Sequence, residues 1–311
     1  MKYSFFFAIT IFLFFNGFCQ TRKKNIDQTP LWQIKDPVSG HISYLFGTEH
    51  IVGASWLDSV TDVKDKFQQS KHVFVEAYQE KPDTNQDKLL MQSVKGPVTD
   101  PHKIFKGKSY QIVNAYTRSL NWDNLDSVLN AAGQAQMLLL WGLSAQLASD
   151  YAVRLHMAIP GEDGLDNYFA KQAIASGKQQ SSLDSSDVIA KLNNYGKLED
   201  LAKGIEKLVK GLKKGGQLDK TVFNTDYVNL KIKYQFGRKM PKDIDDAGLG
   251  TARNNKWMHK LDGPLRTEDC FIAVGLGHLN YKNGLIMQLR KAGFKVTPVE
   301  MHRITLPLKN S

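Results

Sequence analysis

Apolar positions along the chain recur in two rhythms. Near both ends they come in short runs bounded by glycine, and in the middle they recur at three- and four-residue steps. Residues 42 to 47, Ile-Ser-Tyr-Leu-Phe-Gly, predict a strand that ends in Gly47-Thr48-Glu49-His50. Residues 58 to 69 predict a helix. His72 to Ala77, with Val73, Phe74 and Val75, predicts a second, buried strand ending in Glu76. From about residue 85 to 260 the pattern is mostly helical. Ala131 to Leu147 carries Leu138, Leu139, Leu140, Trp141 and Leu143, and Leu198 to Leu212 alternates apolar residues with lysines that form a solvated face. The strand pattern then returns. Phe271 to Gly275 reads as a strand, Asn280 to Ala292 as a helix closed by Gly293, and Phe294 to Val299 as a strand followed by Glu300.

The succession strand, Gly-x-x-His, helix, strand, Glu therefore occurs twice. The histidine-to-glutamate separations are 26 residues (50 to 76) and 22 residues (278 to 300). The expected fold is α/β: two similar βαβ-containing halves form a sheet core, with a largely helical insertion between them. The expected boundaries are 31–80 for the first half, 85–260 for the helical middle and 270–308 for the second half, within one domain spanning 20–311.

Composition narrows the class. Of 311 residues, 42% are hydrophobic and 23% charged, which is ordinary for a globular chain. The formal net charge is +10, but the basic residues are scattered and no nucleic-acid motif accompanies them, so no nucleic-acid partner is expected. At the N-terminus, Lys2 precedes the apolar run Phe5 to Phe15, which is too short for a membrane span and suits a signal-peptide core. Gly17 and Cys19 meet the small-x-small rule for cleavage, so residues 1–19 are expected to be removed and the rest exported to the periplasm or outside the cell, with no transmembrane anchor. Anchoring through a lipid on Cys19 is disfavoured by bulky Phe18 just before it. Cys270 is then the remaining cysteine, which rules out an internal disulfide and reads as a small buried thiol.

The stretch Ala273 to Asn280, AVGLGHLN, poses a choice of chemistry. Gly275-Leu276-Gly277 imitates the start of a dinucleotide loop. Asn280 stands where the third glycine belongs, His278 occupies the loop, and too little chain follows Glu300 to build the remaining strands. In the metal reading, His50 and His278 are exposed at the carboxyl edge of one sheet, with Glu76 beside them. Two imidazoles and a carboxylate suit Mn, Fe, Co or Zn and leave positions open for water. The glycines would let the backbone turn sharply and bring the imidazoles together.

The segments YLFGTEH, VFVEAY, RNNKWM and AVGLGHL resemble the TraB/GumN family, which includes the Tiki metalloproteases, from about Trp32 to the segment GFKVTPVE. The family's two GxxH motifs match Gly47–His50 and Gly275–His278, its acidic strand end matches Glu76, and its Arg-Asn pair matches Arg253 and Asn254. GLDNYFAKQA and GKQQSSLDSS resemble its Gly-x-Asp and Gly-Lys…Leu-Glu-Thr segments, although Leu183-Asp184-Ser185 places a shorter acid in the second. Glu49 is a further departure, standing where relatives often have an apolar residue; it reads as a polar loop residue, with a ligand or a base as the alternatives. The resemblance implies an α/β fold related to the ChaN and erythromycin-esterase group. It also implies a metal-dependent peptidase that prefers manganese or cobalt, acting on a peptide or protein substrate; other relatives are linked to shutdown of peptide pheromones.

Together these observations predict a divalent-metal site built from His50, His278 and Glu76. Glu76, if it is not a ligand, would be the base. Arg253 would stabilise an oxyanion or a substrate carboxylate, or instead form an internal salt bridge. Asn254 would orient a neighbour. The repeat places Glu300 near the site, although the resemblance does not. His41, His72, His102, His156, His259 and His302 read as surface or core histidines. Two alternatives stand beside the peptidase: a protein that binds and sequesters an exported peptide without cutting it, and an envelope protein whose GxxH loops are relics.

Overall fold

Alternation along the apolar runs sorts their side chains onto the two faces of one sheet. The computed structural model describes residues 28–78, 96–184, 198–213, 225–242, 245 and 250–304, so the expected signal segment lies outside the described residues. Six strands are formed: β1 (Leu31–Lys35), β2 (Ile42–Thr48), β3 (His72–Val75), β4 (Gln179–Ser182), β5 (Cys270–Gly275) and β6 (Lys295–Pro298). Their order across the sheet is β4-β3-β5-β2-β1-β6. β2, β5, β3 and β4 are parallel to one another, whereas β1 runs antiparallel to both β2 and β6.

Helices cover both faces, as a mostly parallel sheet requires. On one face Phe46, Val73, Val75 and Phe271 meet Val63 and Phe67 of α1 (Thr61–Gln69). Helices α2 (Pro101–Ile104), α3 (Lys108–Ser119), α4 (Leu125–Ala132) and α5 (Gln136–Arg154) follow in the chain. Next comes α6 (Leu165–Ala175), whose Phe169 and Ala173 join the same face. Helix α7 (Leu198–Lys213) buries Ala202, Ile205 and Val209 against α2 to α5 in a separate helical core. On the sheet's other face Leu45, Phe74, Ile272 and Val274 meet Trp257 and Leu261 of α8 (Thr251–Leu261). After the short α9 (Pro264–Thr267), Leu285, Ile286 and Leu289 of α10 (Leu285–Lys291) complete that face.

The structure is α/β, as expected, with its helices flanking a six-stranded sheet. The two strand–helix–strand units are alike in their order of elements and differ in placement. β2–α1–β3 steps across one strand, β5, whereas β5–α10–β6 steps across two and ends against antiparallel β1. The two crossovers leave the sheet's centre in opposite directions and on opposite faces. Crossovers of one hand require that arrangement. It opens a crevice beyond the carboxyl ends of adjacent β2 and β5, where open α/β sheets bind ligands.

Three local expectations are revised. The long apolar helix is broken at Gly133, whose φ of +53° ends α4 before a one-turn 3-10 segment leads into α5. The last helix begins at Leu285 rather than Asn280, because the Asn280 side chain accepts from the backbone N–H groups of Gln235 and Tyr281 and holds this segment in a loop. β4 is an edge strand inside the region expected to be helical. Its sequence Gln-Gln-Ser-Ser has no apolar alternation, and pairing with β3 supplies its register.

Phe46 is fully buried, with ring centroids of Phe169 and Phe271 at 5.7 and 6.2 Å. Phe46→Ala is expected to cost about 3–5 kcal/mol of unfolding free energy, read from the denaturant midpoint at unchanged m-value. A loss below about 1 kcal/mol would show that this face is not the core.

Candidate functional site

The strand ends at the crevice each deliver one polar group. β3 ends just before Glu76, β4 just before Leu183 and Asp184, β5 at Gly275, and β2 at Thr48, two residues before His50. From above the second face, α8 supplies Arg253 and Asn254, both buried.

Arg253 is the hub. Its Nη2 donates to Glu76 Oε2 at 2.7 Å and to Asp184 Oδ2 at 2.5 Å, and its Nε donates to Asp184 Oδ1 at 3.4 Å. Nη1 lies 3.1 Å from His278 Nε2, and the guanidinium carbon stands 4.7 Å from the Trp257 ring centroid. Asp184 also accepts from Trp257 Nε1 at 2.7 Å. Both readings of Arg253 left open by the sequence thus meet an observed internal ion pair with two acids. The shorter acid at Asp184 suffices because its own backbone N–H is bonded to the Glu76 carbonyl at 2.7 Å, which brings the two strand ends together.

Each candidate histidine is oriented through Nδ1. His278 Nδ1 is 2.7 Å from Asn254 Oδ1, while Asn254 Nδ2 donates to the carbonyls of His278 and Asn283. The asparagine amide is thereby fixed with its oxygen toward the ring. His278 carries its proton on Nδ1 and turns the Nε2 lone pair toward Arg253. Burial drives its pKa down to about 4, with the Arg253 charge adding to that and Glu76 opposing it, so the ring is neutral at pH 7. His50 Nδ1 is 2.9 Å from Asp166 Oδ2, and Asp166 Oδ1 accepts from Thr48 Oγ1 at 2.7 Å. The hydrogen bond to Asp166 raises the His50 pKa to about 9 against the effect of burial, and the charges of Asp166, Glu76 and Glu49 reinforce it.

Glu76 joins the two histidines. Its Oε1 accepts from the Gly275 N–H at 2.6 Å and lies 3.8 Å from His278 Nε2. Burial by itself would raise this carboxyl; the charges of His278, Arg253 and His50 and the Gly275 N–H outweigh it and hold the pKa low. With His278 neutral at pH 7, Arg253 and the amide are the dependable part of that balance. Glu49 differs: burial pushes its carboxyl up, only partly countered by His50.

The glycines of the two motifs do not act as expected. Neither Gly47 nor Gly275 has a positive φ, so sharp turning is not their role. They permit close approach instead. A Cβ on Gly275 would lie 3.0 Å from Glu76 Oε1 and 3.4 Å from His50 Nε2. One on Gly47 would meet Leu276 Cδ1 at 2.8 Å and Leu279 Cδ2 at 2.9 Å. Each motif's glycine makes room for the other motif's loop. The Gly-x-Gly stretch continues into a 3-10 turn, Leu276–Leu279, and not a long helix, so no helix N-terminus is offered to a pyrophosphate.

Among the described residues, no group of three or more His, Cys, Asp or Glu side chains already stands at metal-ligand spacing. Sequence reasoning gave Asp166 no role. Its signal was an acid in the first turn of α6, directly after Gly164-Leu165. His72 is buried between Glu268 Oε1 and Ser181 Oγ, both at 2.9 Å, at the opposite end of β3 from Glu76. Cys270 is buried, and its thiol is pushed up to about 12, so it is inert. Glu300 follows β6 at the far edge of the sheet, remote from the β3–β5–β2 centre in strand order.

The chain matches the TraB/PrgY/gumN family over residues 30–298 and belongs to that family. No curated protein and no solved structure matches it.

In the metal-free protein, His50 and His278 are expected to titrate near pH 9 and pH 4. The His50 contribution to stability is then complete below its unfolded value of about 6.5 and is lost as pH rises through 9. The His278 contribution is complete above about 6.5 and is lost as pH falls through 4. Asp166→Asn should return the His50 titration toward 6.5; an unchanged His50 curve in ring-nitrogen NMR would refute the dyad. Gly275→Ala, at an alanine-compatible φ of −51° and ψ of 134°, should fold yet shift the His50 ring signals. Gly277→Ala, where an added Cβ meets nothing within 4 Å, should leave them in place.

Proposed function

From that family membership we propose that the chain is an exported, divalent-metal-dependent hydrolase of peptide bonds, its site built from His50, His278 and Glu76. One observation carries the reading: both imidazoles are tied through Nδ1 to protein acceptors, Asp166 and Asn254. That leaves Nε2 of each for a shared ligand. Metal-binding histidines are held in this way, with the second ring nitrogen on a carboxylate or an amide or carbonyl oxygen.

The residues present suit such an ion in chemistry, and their side chains would have to draw together around it. Two imidazole nitrogens and a carboxylate oxygen are the donor set of Mn, Fe, Co or Zn, with manganese or cobalt preferred by analogy with the family. The missing Cβ of Gly275 leaves free the volume between Glu76 Oε1 and His50 Nε2. Glu76, Asp166 and Asp184 outnumber the permanent cation Arg253, so the cluster favours an added positive charge. In its absence the proton on His50 supplies part of that charge. Loading the site displaces this proton and requires His278 Nε2 to give up its contact with Arg253 Nη1.

When bound, a divalent ion would acidify a water molecule and polarise the scissile carbonyl. The chain's own groups do the rest. Asp166 and Asn254 hold the two rings in register. Glu76 Oε1, kept ionised and anchored by the Gly275 N–H, completes the donor set or, where it is not a ligand, is the proton acceptor beside His278. Arg253, once released from His278, retains its bonds to Glu76 and Asp184 and turns Nη1 toward developing negative charge. The run Phe5 to Phe15 supports export, and among the described residues no helix is long and apolar enough to cross a membrane.

A second reading, capture of an exported peptide without cleavage, is favoured by the contact that already occupies His278 Nε2. Metal separates the two. Protein stripped with EDTA and reloaded with Mn²⁺ or Co²⁺ is expected to bind the ion and to cleave an unstructured peptide only when loaded. His50→Ala and His278→Ala should abolish both properties, and Asp166→Asn and Asn254→Ala should weaken ion affinity about 10–100-fold. Peptide binding that survives EDTA, with no fragments under any metal, would establish capture instead.

A further inference from the structure

Helix α5 carries two stripes. Leu140, Leu143, Leu147 and Tyr151 are fully buried, with the three leucines packed in the helical core. The neighbouring stripe, Trp141, Ala145, Ala148 and Ala152, borders a cavity of about 450 Å³. The rest of its lining comes from residues 50–53 and from Ala158, Ile159, Gly161, Glu162 and Gly164, and His50 is part of it. The cavity therefore begins at a residue of the candidate site and runs away from it along α5. Its size falls within the roughly 300–1,000 Å³ typical of ligand sites.

Away from His50 the lining is mostly apolar, with Ile51, Val52, Trp141, Ala145, Ala148 and Ile159, and its polar groups there are the neutral hydroxyls of Ser144 and Ser149 and one acid. Trp141 and Ile159 are 41% and 58% exposed, so both present apolar surface to an occupant. The one acid in the wall, Glu162, is fully engaged: it accepts from the Ser55 N–H at 2.7 Å, Ser55 Oγ at 2.8 Å and the Ile159 N–H at 2.6 Å. A charged occupant seated along α5, away from His50, would find no free partner there and would lose its hydration. The alanines hold the cavity open, because a larger residue at 145 or 148 would fill it.

We propose that this cavity is the specificity subsite for one large aliphatic or aromatic side chain of a peptide substrate, seated beside the scissile bond. The inference rests on the hydrolase reading above. Metal-loaded full chain is given fluorogenic peptides that differ at a single position, leucine or phenylalanine against glutamate or lysine. Wild type is expected to favour the apolar members by about tenfold or more in kcat/KM. Ala148→Phe and, independently, the more exposed Ala145→Phe should remove that preference while cleavage of the charged members persists and the melting temperature holds. Equal rates on all peptides, or a preference that survives both substitutions, overturns the subsite and leaves the hydrolase standing. If wild type cleaves nothing, the hydrolase reading is lost and binding decides the subsite. The same apolar peptides should then perturb Trp fluorescence in wild type but not in Trp141→Phe, and no perturbation overturns the proposal.

Discussion

A single buried guanidinium sets the terms for everything around it. Arg253 spans Glu76 after β3, Asp184 after β4 and His278 after β5, and it does so from a helix on one face of the sheet. Removing one member of such a cluster strands the others in a medium that cannot solvate them, at a cost near 3–5 kcal/mol. The cluster is therefore both a clamp on three strand ends and the source of the site's electrostatics. It holds Glu76 ionised against the effect of burial, while burial together with the Arg253 charge keeps His278 neutral 3.8 Å away despite the carboxylate beside it.

Much of this was legible beforehand, and the reason is periodicity. The runs around Phe46, Phe74 and Ile272 alternate because the sheet they form has one helix layer on each face. The GxxH repeats mark the two central strand ends because crossovers in opposite directions must leave the sheet there. What stayed hidden was held by partners distant in sequence. β4 looks nothing like a strand until β3 supplies its hydrogen bonds. Asp166 was visible as the acid of the Gly-x-Asp segment, but its partner was not, until folding brings it 2.9 Å from His50, 116 positions away. Gly133 was visible as a residue but not as a break, since only its left-handed backbone shows where one helix stops and the next begins.

The two GxxH glycines teach a related lesson. A glycine near a strand end invites the explanation of a tight turn, yet both lie in backbone that any residue could adopt. What forbids a side chain is the neighbour: Leu276 and Leu279 crowd Gly47, while Glu76 and His50 crowd Gly275. The motifs are thus steric halves of one another, and substitutions in them are expected to combine non-additively.

The central position of β5 reaches into how the molecule comes into being. β2 and β3 are complete within the first 75 residues, but they are not neighbours; the strand between them begins at residue 270. Until that segment threads into the gap, β2 beside β1 and β3 beside β4 each keep one edge unpaired, and the acids and imidazoles stay dispersed. Such long-range closure is slow and leaves strand edges open in the interim. The site's groups are therefore not assembled until β5 is in place, and whatever reactivity the finished molecule has is withheld until residues 270–278 have joined the fold.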